Sequence, residues 1–164
     1  MERFLMRLAG YLPMREIKDG DRPYLNRYYL CTLFGWRFYL HQFVDDDPSE
    51  GLHDHPWRKA FSIVLLGKYF EERRTGTKLV KYFNSLNGDT FHRVVLPKTY
   101  MFTFSLGEDS PSRPVAVPCW TIFFHAAKDV KEWGFLEKGE GINQTYKPYQ
   151  YEQEGGKPKE WWKK

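Results

Sequence analysis

Gly51-Leu52-His53-Asp54-His55-Pro56-Trp57 is the stretch of sequence that decides the fold. Side chains two residues apart in an extended segment point to the same side, so His53 and His55 face together while Asp54 faces away. A third histidine, His92, lies in a second strand-like run. Three imidazole nitrogens suit divalent iron, zinc, nickel, copper or manganese. The stretch therefore predicts a metal site built on β-strands.

The length and composition of the chain favour one all-β domain. Its 164 residues suffice for one buried core and are too few for two ordinary domains. Aromatic residues make up 18% of the chain, and they favour pleated, half-buried surfaces. The net charge is +4, and basic and acidic residues are interspersed. Because there is no concentrated basic stripe, the sequence does not indicate nucleic-acid binding.

Short strand-like runs occupy the middle of the chain, at 28–33, 36–44, 52–55, 61–66, 69–72, 79–83, 91–96, 100–106 and 115–126. Turn residues separate the runs, and no segment between 34 and 133 has helical periodicity. The first two runs flank Gly35 and predict a hairpin. This pattern is typical of a β-sandwich or barrel, and it excludes a TIM barrel and a doubly wound sheet.

The two ends of the chain differ from this middle part. Residues 1–27 are predicted to form a short helix and a turn-rich connector, residues 28–136 the barrel, and residues 137–164 an irregular polar tail. Phe4, Leu5 and Leu8 lie on one side of the helix and are expected to pack on the domain. Aromatic residues of the tail are expected to dock on the barrel or on a neighbouring subunit.

Several features indicate a cytoplasmic protein without membrane contact. No apolar run approaches the length of a membrane span, and the first residues lack the pattern of a signal peptide. Cys31 and Cys119 are predicted to be small buried side chains in a reducing compartment. Three aspartates precede Pro48, and such a cluster is typical of a solvated turn rather than of a cation site.

The histidines fall within motifs that resemble those of the cupin superfamily. The first cupin motif runs from a glycine through His-x-His to a later glycine, and residues 51–57 with Gly67 fit it. The second motif supplies one more histidine, which His92 matches. The chain also resembles a subgroup of small bacterial and phage cupins, whose further shared segments here are Gly67-Lys68-Tyr69-Phe70-Glu71, His92-Arg93 and Trp133-Gly134-Phe135.

The resemblance implies a double-stranded β-helix, or jelly-roll barrel, with His53, His55 and His92 as metal ligands. Two features of the family are missing. No glutamate follows His55 in the next strand, and no Pro-x-Gly precedes His92. The first departure implies a three-histidine site, unless Glu71 or His41 supplies a fourth ligand. These two residues are also the candidates for a catalytic acid or base, and orienting a ligand histidine is a further role open to Glu71.

Other residues near the motifs are given structural roles. His125 is predicted to be a structural or pocket-lining histidine, and Trp57 and Tyr69 are predicted to pack in the core. Arg93 should point out of the barrel by alternation and form a salt bridge.

The expected function is that of a metal-binding cupin which acts on a small molecule. The first hypothesis is a non-haem iron oxygenase, with iron as the favoured ion. The second is an isomerase, epimerase or lyase in which zinc, nickel or manganese polarises a carbonyl. The third is a non-catalytic module that binds a small molecule. The resemblance also implies a homodimer paired through edge strands.

Overall fold

The computed structural model describes residues 1–48, 51–101, 113–138, 144–149 and 161–163. One helix, α1 (Glu2–Ala9), precedes the strands. The strands are β1 (Met14–Asp19), β2 (Arg22–Leu33), β3 (Trp36–Phe43), β4 (Gly51–His53), β5 (Lys59–Leu66), β6 (Tyr69–Arg73), β7 (Gly76–Val80), β8 (Phe83–Asn87), β9 (His92–Val95), β10 (Lys98–Met101), β11 (Arg113–Ala116), β12 (Cys119–Ala126), β13 (Gly134–Lys138) and β14 (Gln144–Pro148). In the described part of the chain, α1 is too short to cross a membrane.

The strands form two antiparallel sheets of six strands each. Sheet A has the order β1-β2-β3-β12-β5-β8, and sheet B has the order β14-β13-β4-β9-β6-β7. The ribbon β10-β11 is separate from both sheets. Strands that are distant in sequence lie side by side, as β3 and β12 do, and this is the connectivity of a jelly roll. The all-β prediction is confirmed.

The predicted hairpin around Gly35 is present. Leu33 of β2 pairs with Trp36 of β3, so the loop has two residues. Both loop residues have positive φ, 50° at Phe34 and 76° at Gly35. A loop of this type matches the right-handed twist of the flanking strands, which explains the glycine at its second position.

Strands extend beyond the predicted barrel interval at both ends. The predicted connector holds β1 and the beginning of β2, which pair across the turn at Gly20. The predicted irregular tail is partly wrong, because β14 pairs along β13. Neither segment is strongly apolar, so hydrophobic periodicity gave no signal for them.

Proline and turn positions account for other differences inside the barrel. The run 115–126 is split into β11 and β12, because Pro118 cannot donate a hydrogen bond to a ladder. The run 79–83 is the junction of β7 and β8. Most of the run 100–106 lies outside the described residues.

Helix α1 packs on the outer face of sheet A through one side only. Leu5 and Ala9 are buried against Leu40 and Trp120. Phe4 remains 65% exposed and Leu8 38% exposed, so the predicted packing holds for Leu5 and not for these two residues.

Aromatic residues near the end of the chain dock on the barrel, as the sequence suggests. Trp162 stacks on Tyr29 with a centroid distance of 4.4 Å, and Tyr149 stacks on Trp133 at 4.3 Å. These contacts place rings from the last described segments against β2 of sheet A and beside the start of β13 of sheet B.

The aspartates before Pro48 clamp the two sheets together. Asp47 is buried and accepts a hydrogen bond from the Val94 amide at 2.7 Å, and Asp46 accepts one from Leu96 at 2.7 Å. Asp45 forms salt bridges with Arg22 and Lys98. The interpretation as a solvated turn is therefore wrong, because these carboxylates satisfy backbone amides that strand pairing leaves unpaired.

The two cysteines lie in different environments, although the sequence suggests that both are buried. Cys119 is buried in the core, and Cys31 is exposed. Cys31 pairs with Phe38 after a register shift in β2, which changes the alternation of the residues that follow.

Candidate metal centre

The pairing of β4 with β9 brings two of the predicted ligands together. His53 and His92 are direct cross-strand partners, so their side chains lie on the same face of sheet B. His55 lies two residues beyond His53 and reaches the same point. The ligand atoms of the three histidines all lie within 4.8 Å of one another. The structure thus brings together the three residues that the motif predicts.

The spacing of the nitrogens fits one metal ion. The Nε2 atoms of His55 and His92 are 2.9 Å apart. Two nitrogens bound at about 2.1 Å to one ion, with a right angle between them, lie about 3 Å apart. Burial, together with the neighbouring histidines, holds the pKa values of His53 and His55 well below the usual range. Both rings are therefore neutral at neutral pH, the form that binds metals.

A buried carboxylate lies behind His92. The Oε1 atom of Glu71 is 3.1 Å from Nδ1 of His92, a close contact whose angle departs from that of a well-aligned hydrogen bond. Burial raises the pKa of Glu71, but the contacts with His92, Arg73 and Asn84 outweigh it and hold the pKa well below its usual range. An ionised carboxylate at Nδ1 favours the tautomer that leaves Nε2 free for a metal.

Asp54 fixes the chain between His53 and His55. Its side chain points away from the histidines, as alternation predicts, and Oδ1 accepts a hydrogen bond from the Gly134 amide at 2.7 Å. Its other oxygen forms a salt bridge with Lys131 at 2.6 Å. A side chain at position 134 would collide with the backbone carbonyl of Lys147, which explains the glycine there.

Aromatic rings surround the centre. His55 stacks on Trp57 at 4.6 Å, and Trp57 stacks on His125 at 3.8 Å. Phe135 lies beside His53, with 5.9 Å between the ring centroids. The predicted packing role of Trp57 is confirmed, and Tyr69 is buried in the core as well.

The remaining predicted residues are not part of the three-histidine group. Neither Glu71 nor His41 joins the group of ligand atoms. Nδ1 of His125 is 2.8 Å from the carbonyl of Ala126, and this histidine is buried, consistent with a structural role. Arg93 points out of the barrel and forms a salt bridge with Glu72 at 2.6 Å, as predicted.

A polar level separates two apolar clusters inside the barrel. On sheet A the row Leu25, Phe43 and Cys119 belongs to one cluster. The row Tyr29, Tyr39 and Phe123 packs in the other. Between these rows the register aligns Arg27, His41 and Thr121. The histidine centre also borders the first cluster, because His92 is two residues from Val94, which belongs to that cluster.

Arg27 belongs to this polar level, although the sequence assigned its segment to a connector. Its Nε atom donates a hydrogen bond to Nε2 of His41 at 3.1 Å. The positive charge of Arg27 contributes to the lowered pKa values of His53 and His55, after burial and the other histidines. No signal in the sequence could have revealed it, because residues 25–29 (Leu-Asn-Arg-Tyr-Tyr) do not alternate between apolar and polar.

Solved cupin structures resemble the chain over most of its length. A cupin-2 domain protein from Rhodospirillum rubrum has a TM-score of 0.50 at 11% identity, and covers 73% of this chain and 72% of its own. A cupin-like protein from Thermotoga maritima has a TM-score of 0.47 at 16% identity, with 70% and 77% covered. A cupin-superfamily sugar phosphate isomerase from Silicibacter pomeroyi has a TM-score of 0.47 at 11% identity, with 80% and 78% covered.

No protein-family model and no curated protein sequence matches the chain. At these identities the likeness concerns the fold. The chain has the double-stranded β-helix fold of the cupin superfamily. Its three-histidine group is suited to a divalent metal ion.

Proposed function

We propose that this protein is a metal-dependent enzyme in which His53, His55 and His92 hold one divalent ion, and that the enzyme is a non-haem iron oxygenase. The convergence of three imidazoles beside the aromatic interior of the barrel, with His53 and His55 held neutral by burial, carries the proposal. Three protein ligands leave positions open for small molecules, which is the mark of a catalytic rather than a structural site. When bound, ferrous iron supplies chemistry with dioxygen.

The surroundings of the centre favour an oxygenase over an isomerase or lyase. A Lewis-acid isomerase needs a side chain that moves a proton to or from its substrate. Glu71 cannot do this readily, because its oxygens contact His92, Arg73, Lys78 and Asn84. Nε2 of His41 is occupied by the hydrogen bond from Arg27. An oxygenase needs the chain to hold the ion, orient the substrate and exclude water, and the described residues suit these tasks.

Metal analysis tests the ligand set. We expect the protein, purified without added metal, to contain close to one transition-metal ion per chain, and His53→Ala, His55→Ala and His92→Ala to lose it. His41→Gln is the matched histidine control and should keep the ion. Retention of full metal content by His92→Ala, with circular dichroism unchanged, would sink the proposed site.

Oxygen uptake tests the reaction class. The apoprotein is loaded with ferrous iron or with zinc, and oxygen consumption is followed with a panel of small carboxylates and phosphate esters. Uptake is expected with iron only, and only in the presence of a substrate. Turnover of a panel compound by the zinc form under nitrogen would instead indicate the isomerase or lyase. Metal binding without turnover of any panel compound by either form would indicate a binding module.

A further inference from the structure

The polar row on sheet A contains a fourth member. In the β1-β2 ladder Arg15 is the direct cross-strand partner of Arg27, so four residues (Arg15, Arg27, His41 and Thr121) follow one another across four strands on one face. We call these residues the arginine row. Like charges placed directly opposite one another destabilise a sheet unless something neutralises them.

The two arginines have no carboxylate partner within salt-bridge distance in the described part of the chain. Burial lowers the pKa of Arg27, and the charge of Asp47 opposes this shift only weakly, without a salt bridge between the two side chains. Arg27 contacts the ring of Tyr39, with its guanidinium carbon 5.4 Å from the centroid. Both arginines are partly exposed to solvent.

The hydrogen-bonding state of His41 follows from its contact with Arg27. A guanidinium is always protonated and can only donate, so Nε2 of His41 must accept. The proton of the neutral ring then lies on Nδ1, and this atom is buried without a partner among the described residues. His41 therefore presents an unused donor.

Thr121 adds another group of the same kind. Its side chain is fully buried at 0% exposure, and its Oγ1 has no hydrogen-bond partner among the described residues. A buried polar atom without a partner costs about 1–3 kcal/mol, so such atoms in a native fold call for an explanation. The arginine row thus concentrates positive charge and unused hydrogen-bond donors at one level of the barrel.

We infer that the arginine row binds an oxyanion, the carboxylate or phosphate group of the substrate that reacts at the histidine centre. A ligand rich in acceptors and negative charge complements two guanidinium groups, an imidazole N–H and a hydroxyl. The row lies near the histidine centre of sheet B, since the charge of Arg27 acts on both His53 and His55. One small molecule can therefore place its charged end on sheet A and its reacting end at the metal. Only the claim that the reacting end lies at the metal rests on the proposed function.

Calorimetric titration of the metal-free protein with inorganic phosphate and with acetate, at constant ionic strength, tests the inference. We expect at least one of the two anions to bind to the wild type. Arg27→Gln and Arg15→Gln should each weaken the affinity for that anion by at least about tenfold. Thr121→Val, a close match in shape, should weaken it less. Arg7→Gln removes the same charge from the exposed side of α1 and should bind as the wild type does.

The pattern of binding identifies the source of the oxyanion. Binding of phosphate alone supports a phosphorylated substrate, and binding of acetate alone supports a carboxylic acid. Binding of neither anion to the wild type overturns the inference, as does unchanged binding by Arg27→Gln. Arg27→Lys serves as a second variant if Arg27→Gln fails to fold, and should also bind more weakly because a lysine cannot form the bidentate contact.

Metal content measured on the same variants separates this inference from the proposed function. His92→Ala should lose the metal and still bind the anion, and Arg27→Gln should show the reverse. Loss of the metal by folded Arg27→Gln would make the row a support of the metal site and overturn the inference. If Arg27→Gln loses anion binding and the wild type contains no metal, the oxyanion site is supported and the proposed function is contradicted.

Discussion

His92 is in contact through both of its ring nitrogens. Nε2 meets His55, and Nδ1 meets the buried carboxylate of Glu71. A carboxylate behind a metal-binding histidine fixes the orientation and tautomer of the ring. Glu71 is therefore best regarded as a positioning residue, a role that the sequence offered beside those of ligand and base.

Glu71→Gln should weaken the binding of the metal by about 10–100-fold, because a neutral amide orients His92 less well. Affinity is measured by titrating the apoprotein with zinc or with ferrous iron. Glu72→Gln is the matched control, since Glu72 lies on the same strand and pairs with Arg93 on the outside. Wild-type affinity in Glu71→Gln would show that the carboxylate does not position the ligand.

At the scale of single elements, α1 shows how a short helix depends on the sheet beneath it. Eight residues are too few for a helix that is stable by itself. Glu2 in the first turn and Arg7 in the last turn favour the helix dipole, although such effects are small. The burial of Leu5 and Ala9 on the outer face of sheet A supplies the remaining stability.

Leu5→Ala should lower the free energy of unfolding by about 2–5 kcal/mol, since Leu5 is only 3% exposed. Phe4→Ala, one residue away and largely exposed, should change it by less than about 0.5 kcal/mol. Urea unfolding followed by tryptophan fluorescence compares the two. Equal effects of both substitutions would mean that α1 does not pack through Leu5.

At the scale of the whole molecule, the two sheets enclose an interior that holds a buried thiol, and the reactivity of this thiol measures global unfolding. Cys119 lies in one apolar cluster at 0% exposure, and burial raises the pKa of its thiol to about 12. The thiolate is the reactive form of cysteine. Cys119 is therefore protected twice, because reagents cannot reach it and because its thiol stays protonated. Cys31 is exposed in the same chain.

One thiol per chain should react quickly with a thiol reagent at pH 8, and the second should react only when the protein unfolds. The reacting residue is identified by mass spectrometry, and Cys31→Ser should remove the fast reaction. Rapid labelling of Cys119 in the native protein would mean that the cluster opens far more readily than a packed core does.

The sequence alone predicted the local elements that have strong period-two signals. The hairpin around Gly35 and the shared direction of His53 and His55 follow from alternation and turn chemistry. A second strand-like run offered His92 as the third histidine, and the cupin resemblance supported its role as a ligand. Arg15 and Arg27 gave no such signal, because β1 and the first half of β2 contain many polar residues.

The tertiary structure decided which residues lie next to one another, because strands that are far apart in sequence pair with each other. Register places His53 beside His92, and it aligns Arg15, Arg27, His41 and Thr121 although they come from four strands. A shift of one residue in any of these pairings would turn a side chain to the other face of its sheet. The sequence by itself determined a β-barrel with a histidine pair on one face, and the register decided that a cationic row lies on the opposite sheet.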